Sequence, residues 1–123
     1  MKQQARLGEL TRITELAFST QQGRVARLQA QFDALGQQLA ALDRQRKARA
    51  DAPGATPDAA FCVGADMTWL KWVERRKTAI NLERAQIAAR IEHEKSALRL
   101  AFGRHQAARA LQAKCSGITR QKL

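Results

Sequence analysis

Residues 28–42 read LQAQFDALGQQLAAL, and Leu28, Phe32, Leu35, Leu39 and Leu42 recur at spacings of four, three, four and three. An average of 3.5 residues per apolar position keeps one stripe of a helix turned toward a partner helix, the pattern of a left-handed coiled coil. The same spacing runs backward through Val25, Gln21, Phe18, Thr14, Thr11 and Leu7. It is less apolar there, and Leu10, Ile13 and Leu16 predict a slightly rotated apolar face. Gly8, Gly23 and Gly36 fall inside this stretch, and each costs about 1 kcal/mol against Ala in a helix interior. The period continues across Gly36, so these glycines are weak spots or close contacts and not breaks. With no proline before residue 53, a single helix is expected over about 2–49. Asp43 and Lys47 are spaced to add an i,i+4 pair near its end.

Both prolines, Pro53 and Pro57, lie in ADAPGATPD, residues 50–58. Pro53-Gly54 is a turn signal, and Thr56-Pro57 suits the start of a short helical turn through Cys62. A loop over about 50–66 is predicted, with Asp66 or Thr68 as the cap of the next helix. A second helix over about 67–115 carries one stripe of Val73, Ile80, Ile87, Ile91, Leu98 and Ala101/Phe102. A thinner stripe runs through Leu82, Ala85, Ala89, Leu100, Ala107 and Leu111; it is either tolerated surface or an interface. Cys115-Ser116-Gly117 offers a stop with glycine just past the helix, leaving a frayed tail over 116–123. Two helices of about 45 residues far exceed the usual ~11–12. The short connection folds the second back on the first. The expected fold is all-α: one antiparallel coiled-coil hairpin over residues 1–123.

The formal net charge is +11 and the sequence pI about 11.1, which favours acidic partners. Residues 1–50 hold nine Lys/Arg against four Asp/Glu, and residues 67–123 thirteen against four. Residues 51–66 hold three Asp and no Lys/Arg. The first helix closes on Arg44, Arg46, Lys47 and Arg49, where cations suit the negative end of the helix dipole. Arg75, Arg76 and Lys77 stand near the expected start of the second helix, where they oppose it. A hairpin brings both clusters to its loop end, beside Asp51, Asp58 and Asp66. They are either partly neutralised there or form a docking site for an acidic partner. Trp69 and Trp72 are the only tryptophans. Three apart, they lie on nearly one side of the helix, as caps of the core or as exposed anchors.

No catalytic constellation is visible. His93 and His105 are too far apart for an i,i+4 metal pair, and no HExxH motif occurs. Glu92, His93 and Glu94 radiate around the helix as solvated or seam-edge groups. Cys62 and Cys115 form no CxxC pair, so neither a disulfide framework nor a zinc site is expected. No phosphate-cradling glycine loop is present, and no cofactor or metal is expected. No apolar run reaches the ~18–20 residues of a membrane span, and Met1-Lys2-Gln3-Gln4-Ala5-Arg6 lacks a signal peptide's apolar region. Nucleic-acid binding fits the charge, but aromatics for base stacking are sparse. A basic coiled-coil scaffold or adaptor, monomeric or dimeric, fits as well.

The segment Trp69-Leu70-Lys71-Trp72-Val73 opens the second helix after a Pro/Gly/Asp loop, and an Ala/Leu/Gln/Arg/Lys-rich helix from Glu74 to Lys114 follows. In this the chain resembles the FliJ/YscO proteins of flagellar and injectisome type III secretion, across nearly its whole length. The resemblance implies a non-enzymatic stalk. One end of its hairpin enters the ring of an export ATPase, and other contacts are to the membrane export gate and escort chaperones. It implies a cytoplasmic protein, peripheral at the inner membrane. Anchored on Trp69, it places the gate-binding stripe at Arg75, Ala79, Leu82 and Gln86, with Arg75 where an aromatic is expected.

Overall fold

A computed structural model describes residues 2–51 and 59–121, with side chains placed for 2–51 and 64–118. It contains two helices, α1 (Lys2–Asp51) and α2 (Ala59–Gln121), which pack against each other as an antiparallel hairpin. The Pro53-Gly54 turn, the Thr56-Pro57 cap and Asp58 lie outside the described residues.

The inward face of α1 is the stripe on which the sequence reading rests. Gln21, Leu35 and Leu42 are buried, and Leu7, Thr11, Thr14, Phe18, Val25, Leu28, Phe32 and Leu39 are half-buried. The face does not rotate near the N-terminus: Leu10, Ile13 and Leu16 are exposed. The reason is that the polar seam residues find partners. The Thr11 hydroxyl donates to Gln112 Oε1 at 2.9 Å, and the Thr14 hydroxyl lies 3.1 Å from His105 Nδ1. A satisfied hydroxyl can stay in the seam, so the regular spacing is kept.

The seam of α2 is more regular than its apolar residues alone suggest. Leu70, Val73, Lys77, Ile80, Arg84, Ile87, Ile91, Glu94, Leu98, Ala101, His105, Ala108, Gln112 and Cys115 alternate spacings of three and four, and all are buried or half-buried. Of the Ala101/Phe102 pair, Ala101 faces inward. Phe102 sits at the edge and meets Phe18 with ring centroids 5.4 Å apart. The thinner stripe faces out, with Leu82, Leu100 and Leu111 all exposed.

Helix α2 is longer at both ends than the loop-and-cap reading predicts. Gly64, Asp66 and Thr68 lie inside it, and the Thr68 hydroxyl bonds the Gly64 carbonyl at 3.0 Å, one turn back. Gly117 lies inside it too, and no described glycine has positive φ. A lone glycine costs a helix about 1 kcal/mol. Without a proline beside it, neither Gly64 nor Gly117 stops the chain. The start at Ala59 also removes the dipole argument for Arg75–Lys77. The helix-end field fades within the first turn, and Arg75 lies several turns inside.

The chain forms two compact units, one of Met1–Gln29 with Arg90–Leu123 and one of Ala30–Ala89. The second holds most of the buried apolar residues: Leu35, Leu42, Val73, Ile80 and Ile87 are buried, Val73 and Ile80 to 0% and 1% exposure, while Ile91 and Ala108 are buried in the first. One seam cation, Arg84, packs on an aromatic ring. The Arg84 guanidinium lies 4.2 Å over the Phe32 ring, and its Nε is buried without a hydrogen-bond partner. Gly36 makes the room, since a Cβ there would lie 3.2 Å from an Arg84 terminal nitrogen. The glycine is therefore a close contact. The first unit has a polar seam of Thr11 with Gln112, Thr14 with His105, and Gln21 with Glu94.

Candidate docking sites

The residues singled out around the two basic clusters belong to the Ala30–Ala89 unit. Beyond Leu42 the four-three spacing of α1 continues through Arg46 and Arg49. On α2 the facing positions are Asp66, Leu70, Val73 and Lys77. The cations on this line are consequently drawn into pairs. Arg49 meets Asp66 at 2.9 Å, Arg46 meets Glu74 at 3.4 Å, and Lys77 meets Asp43 at 2.8 Å. Arg76 donates to Gln38 Oε1 at 3.4 Å. Among the described residues the acidic partners are Asp43, Asp66 and Glu74. Asp66, one of the three acids expected beside the clusters, lies within α2, and Asp58 lies outside the described residues.

Arg44, Lys47 and Arg75 make no salt bridge among the described residues. Arg44 is two residues past Leu42, and Arg75 two past Val73. A step of two turns a helix by about 200°, so each lies on the outer back of its own helix. The seven cations therefore do not make one continuous patch. Three are paired along the seam, one bonds a glutamine, and the rest project separately.

Asp43 was expected to pair with Lys47 on its own helix. Its partner is Lys77 across the hairpin. The hydrogen bond from Lys77 holds the Asp43 carboxyl below its ordinary value of 3.8, with the charges of Lys77, Arg46 and Lys47 adding and desolvation opposing. A carboxylate depressed by folding stabilises the fold above its unfolded pKa, and that contribution disappears as pH falls through the folded value. Asp43→Asn should therefore cost stability at about pH 7 and less at about pH 3, as denaturant titrations at the two pH values would show. An equal loss at both would assign the effect to packing.

Arg49 has a second contact, its guanidinium lying 4.5 Å over the Trp69 ring. With Arg46, Ala50, Asp66 and Leu70 these residues line a cleft of about 260 Å³. Small-molecule sites usually span ~300–1,000 Å³, so this one suits a side chain better than a metabolite. Trp69 is half-buried under the arginine, whereas Trp72 is 53% exposed. Of the two tryptophans, Trp69 is the covered one and Trp72 the one that stands out. Arg75, Ala79, Leu82 and Gln86 follow spacings of four, three and four on α2, and all four are exposed. They form a continuous outward stripe.

His105 is at the seam edge, its ring near Phe18, while His93 is exposed. No group of three or more His, Cys, Asp or Glu suited to a metal occurs among the described residues. No helix among them is long and apolar enough to cross a membrane. Comparison with protein-family models, curated protein sequences and solved structures returned no match for this chain.

Proposed function

We propose that this chain is a non-enzymatic stalk or adaptor of a type III protein export apparatus, of the FliJ/YscO kind. It acts in the cytoplasm, peripheral to the inner membrane, and docks on the export ATPase ring and the export gate. The observation that carries this reading is the antiparallel pairing of two long helices in a chain of net charge +11. Such a hairpin offers partners long exposed faces on a built-in scaffold. Its excess of cations sets the rate and register of encounters with acidic surfaces more than their final affinity. In this reading the outward stripe of Arg75, Ala79, Leu82 and Gln86, with Trp72 beside it, meets the gate. The paired cations Arg46, Arg49 and Lys77 hold the helices in register beneath.

The test is co-elution of the purified chain with an export ATPase and with the cytoplasmic part of an export gate. Binding to both is expected, with Leu82→Glu/Arg75→Glu lowering gate affinity by about tenfold or more. The far-UV spectrum should not change, because both positions are exposed. Absence of binding to either, with normal secretion in a deletion strain, ends the proposal.

A further inference from the structure

The unit of Met1–Gln29 and Arg90–Leu123 presents a second surface, distinct from the gate stripe of the export reading and argued without it. Two polar contacts fix its geometry. Thr11 bonds Gln112 at 2.9 Å, and Thr14 lies 3.1 Å from His105. In antiparallel helices, the residues one step before two facing seam positions fall on the same flank. Leu10 and Leu111 precede Thr11 and Gln112; Ile13 and Arg104 precede Thr14 and His105. Leu10, Ile13, Leu100, Leu111 and Ile118 all occupy this flank by the seam spacing, and all five are exposed. Between them lie the small exposed residues Ala17 and Ala107.

The charged residues on the same flank are all cations: Arg6, Arg24, Arg27, Arg90, Arg104 and Lys114, each exposed. None makes a salt bridge among the described residues. The four carboxylates of the unit lie elsewhere. Glu9 sits on the back of α1, Glu15 and Glu92 on the opposite side, and Glu94 in the seam with Gln21. An apolar strip bordered by unpaired cations, with no acid on it, is complementary to an acidic amphipathic surface. A second copy laid on this flank would set cation against cation. A bilayer gains little from alanine, whereas a third helix approaches closely where side chains are small.

We propose that this flank docks an acidic amphipathic helix of a partner protein, completing a three-helix bundle. From Leu100 to Ile118 the strip spans about 27 Å at 1.5 Å per residue, room for a helix of roughly 18–20 residues. Its apolar stripe would lie between Leu10/Ile13 and Leu111/Leu100. Its Asp/Glu borders would face Arg6, Arg24, Arg104 and Lys114.

The test uses the full chain and a synthetic helical peptide with Leu on one stripe and Glu on both borders. A composition-matched scramble, anionic phospholipid vesicles and sedimentation of the chain alone complete the set. The expected result is saturable binding of the peptide, at least about tenfold weaker for the scramble, for Ile13→Glu/Leu111→Glu and for Arg104→Glu/Lys114→Glu. Binding should weaken with salt, while Leu82→Glu in the other unit leaves it unchanged. The altered side chains are exposed, so the circular dichroism and melting of each variant should match the parent. Equal binding of the scramble, or indifference to the flank variants, overturns the proposal. So does vesicle binding abolished by Ile13→Glu/Leu111→Glu when the peptide does not bind, or a self-associated dimer broken by that pair.

Discussion

Ile80→Ala is expected to lower the unfolding free energy by about 3 kcal/mol, within the ~2–5 kcal/mol range for truncating a buried isoleucine. Ile80 is 1% exposed and lies between fully buried Val73 and buried Ile87 on α2, in the unit that also contains Leu35 and Leu42. The loss has two parts. The removed methyl and methylene groups forfeit their transfer energy, and helices pinned by neighbouring seam residues collapse only partly onto the void. Leu82 is the internal control. It is two residues away, equally apolar and 62% exposed, so Leu82→Ala should stay within about 0.5 kcal/mol of the parent. Urea titration of the two variants measures the contrast. Similar losses at both positions would mean that the seam is misplaced on α2.

The second large effect lies in the polar seam. Gln21 is buried, and its Nε2 donates to the Glu94 carbonyl at 3.0 Å and also to the Glu94 carboxylate. Gln21→Leu should cost roughly 1–3 kcal/mol, because it strands acceptors that folding has partly removed from water. Gln21→Leu/Glu94→Leu should recover that loss or exceed the parent, since an apolar pair of similar volume often replaces a buried polar one at no net cost. The double variant gives up specificity. Polar seam residues fix register and partner number at some cost in stability, so it should self-associate more readily. The four-corner cycle with Glu94→Leu isolates the coupling between the two residues. A neutral Gln21→Leu would remove the argument that this contact sets the register.

The hairpin could be read from the sequence because its determinants are periodic. Leu28 to Leu42 alternate at four and three, and even Gln21, Thr14 and Thr11 keep the spacing. Polarity hid the matching positions on α2. Lys77, Arg84, Glu94, His105 and Gln112 complete that seam, but an apolar pattern passes over them. Spacing counted from Ile80 and Ile87 alone would have found them. The ion pairs were hidden for another reason. Asp43 with Lys77 and Arg49 with Asp66 depend on the register of one helix against the other, which no local window contains. The ends of α2 lie beyond the expected bounds because Asp66 and Thr68 resemble caps and Gly117 a stop, whereas a long helix runs through all three and tolerates a single glycine at about 1 kcal/mol. At the candidate site, the clusters Arg44–Arg49 and Arg75–Lys77 do share one unit, as folding back requires. Seam spacing then separates them into paired and outward-facing cations. Only the exact register shows which are which.

Every surface described here depends on that antiparallel register. It is tested most directly by joining Thr14 to His105, which lie 3.1 Å apart at their side-chain tips. The measurement is intramolecular cross-linking of Thr14→Cys/His105→Cys by a short bis-maleimide, in dilute protein with Cys62 and Cys115 replaced by Ser. The expected product is a cross-linked monomer of altered gel mobility, formed rapidly in the folded protein and far more slowly when the reagent is added in urea. Cross-linked dimers alone, or no reaction while both thiols remain accessible, would contradict the hairpin.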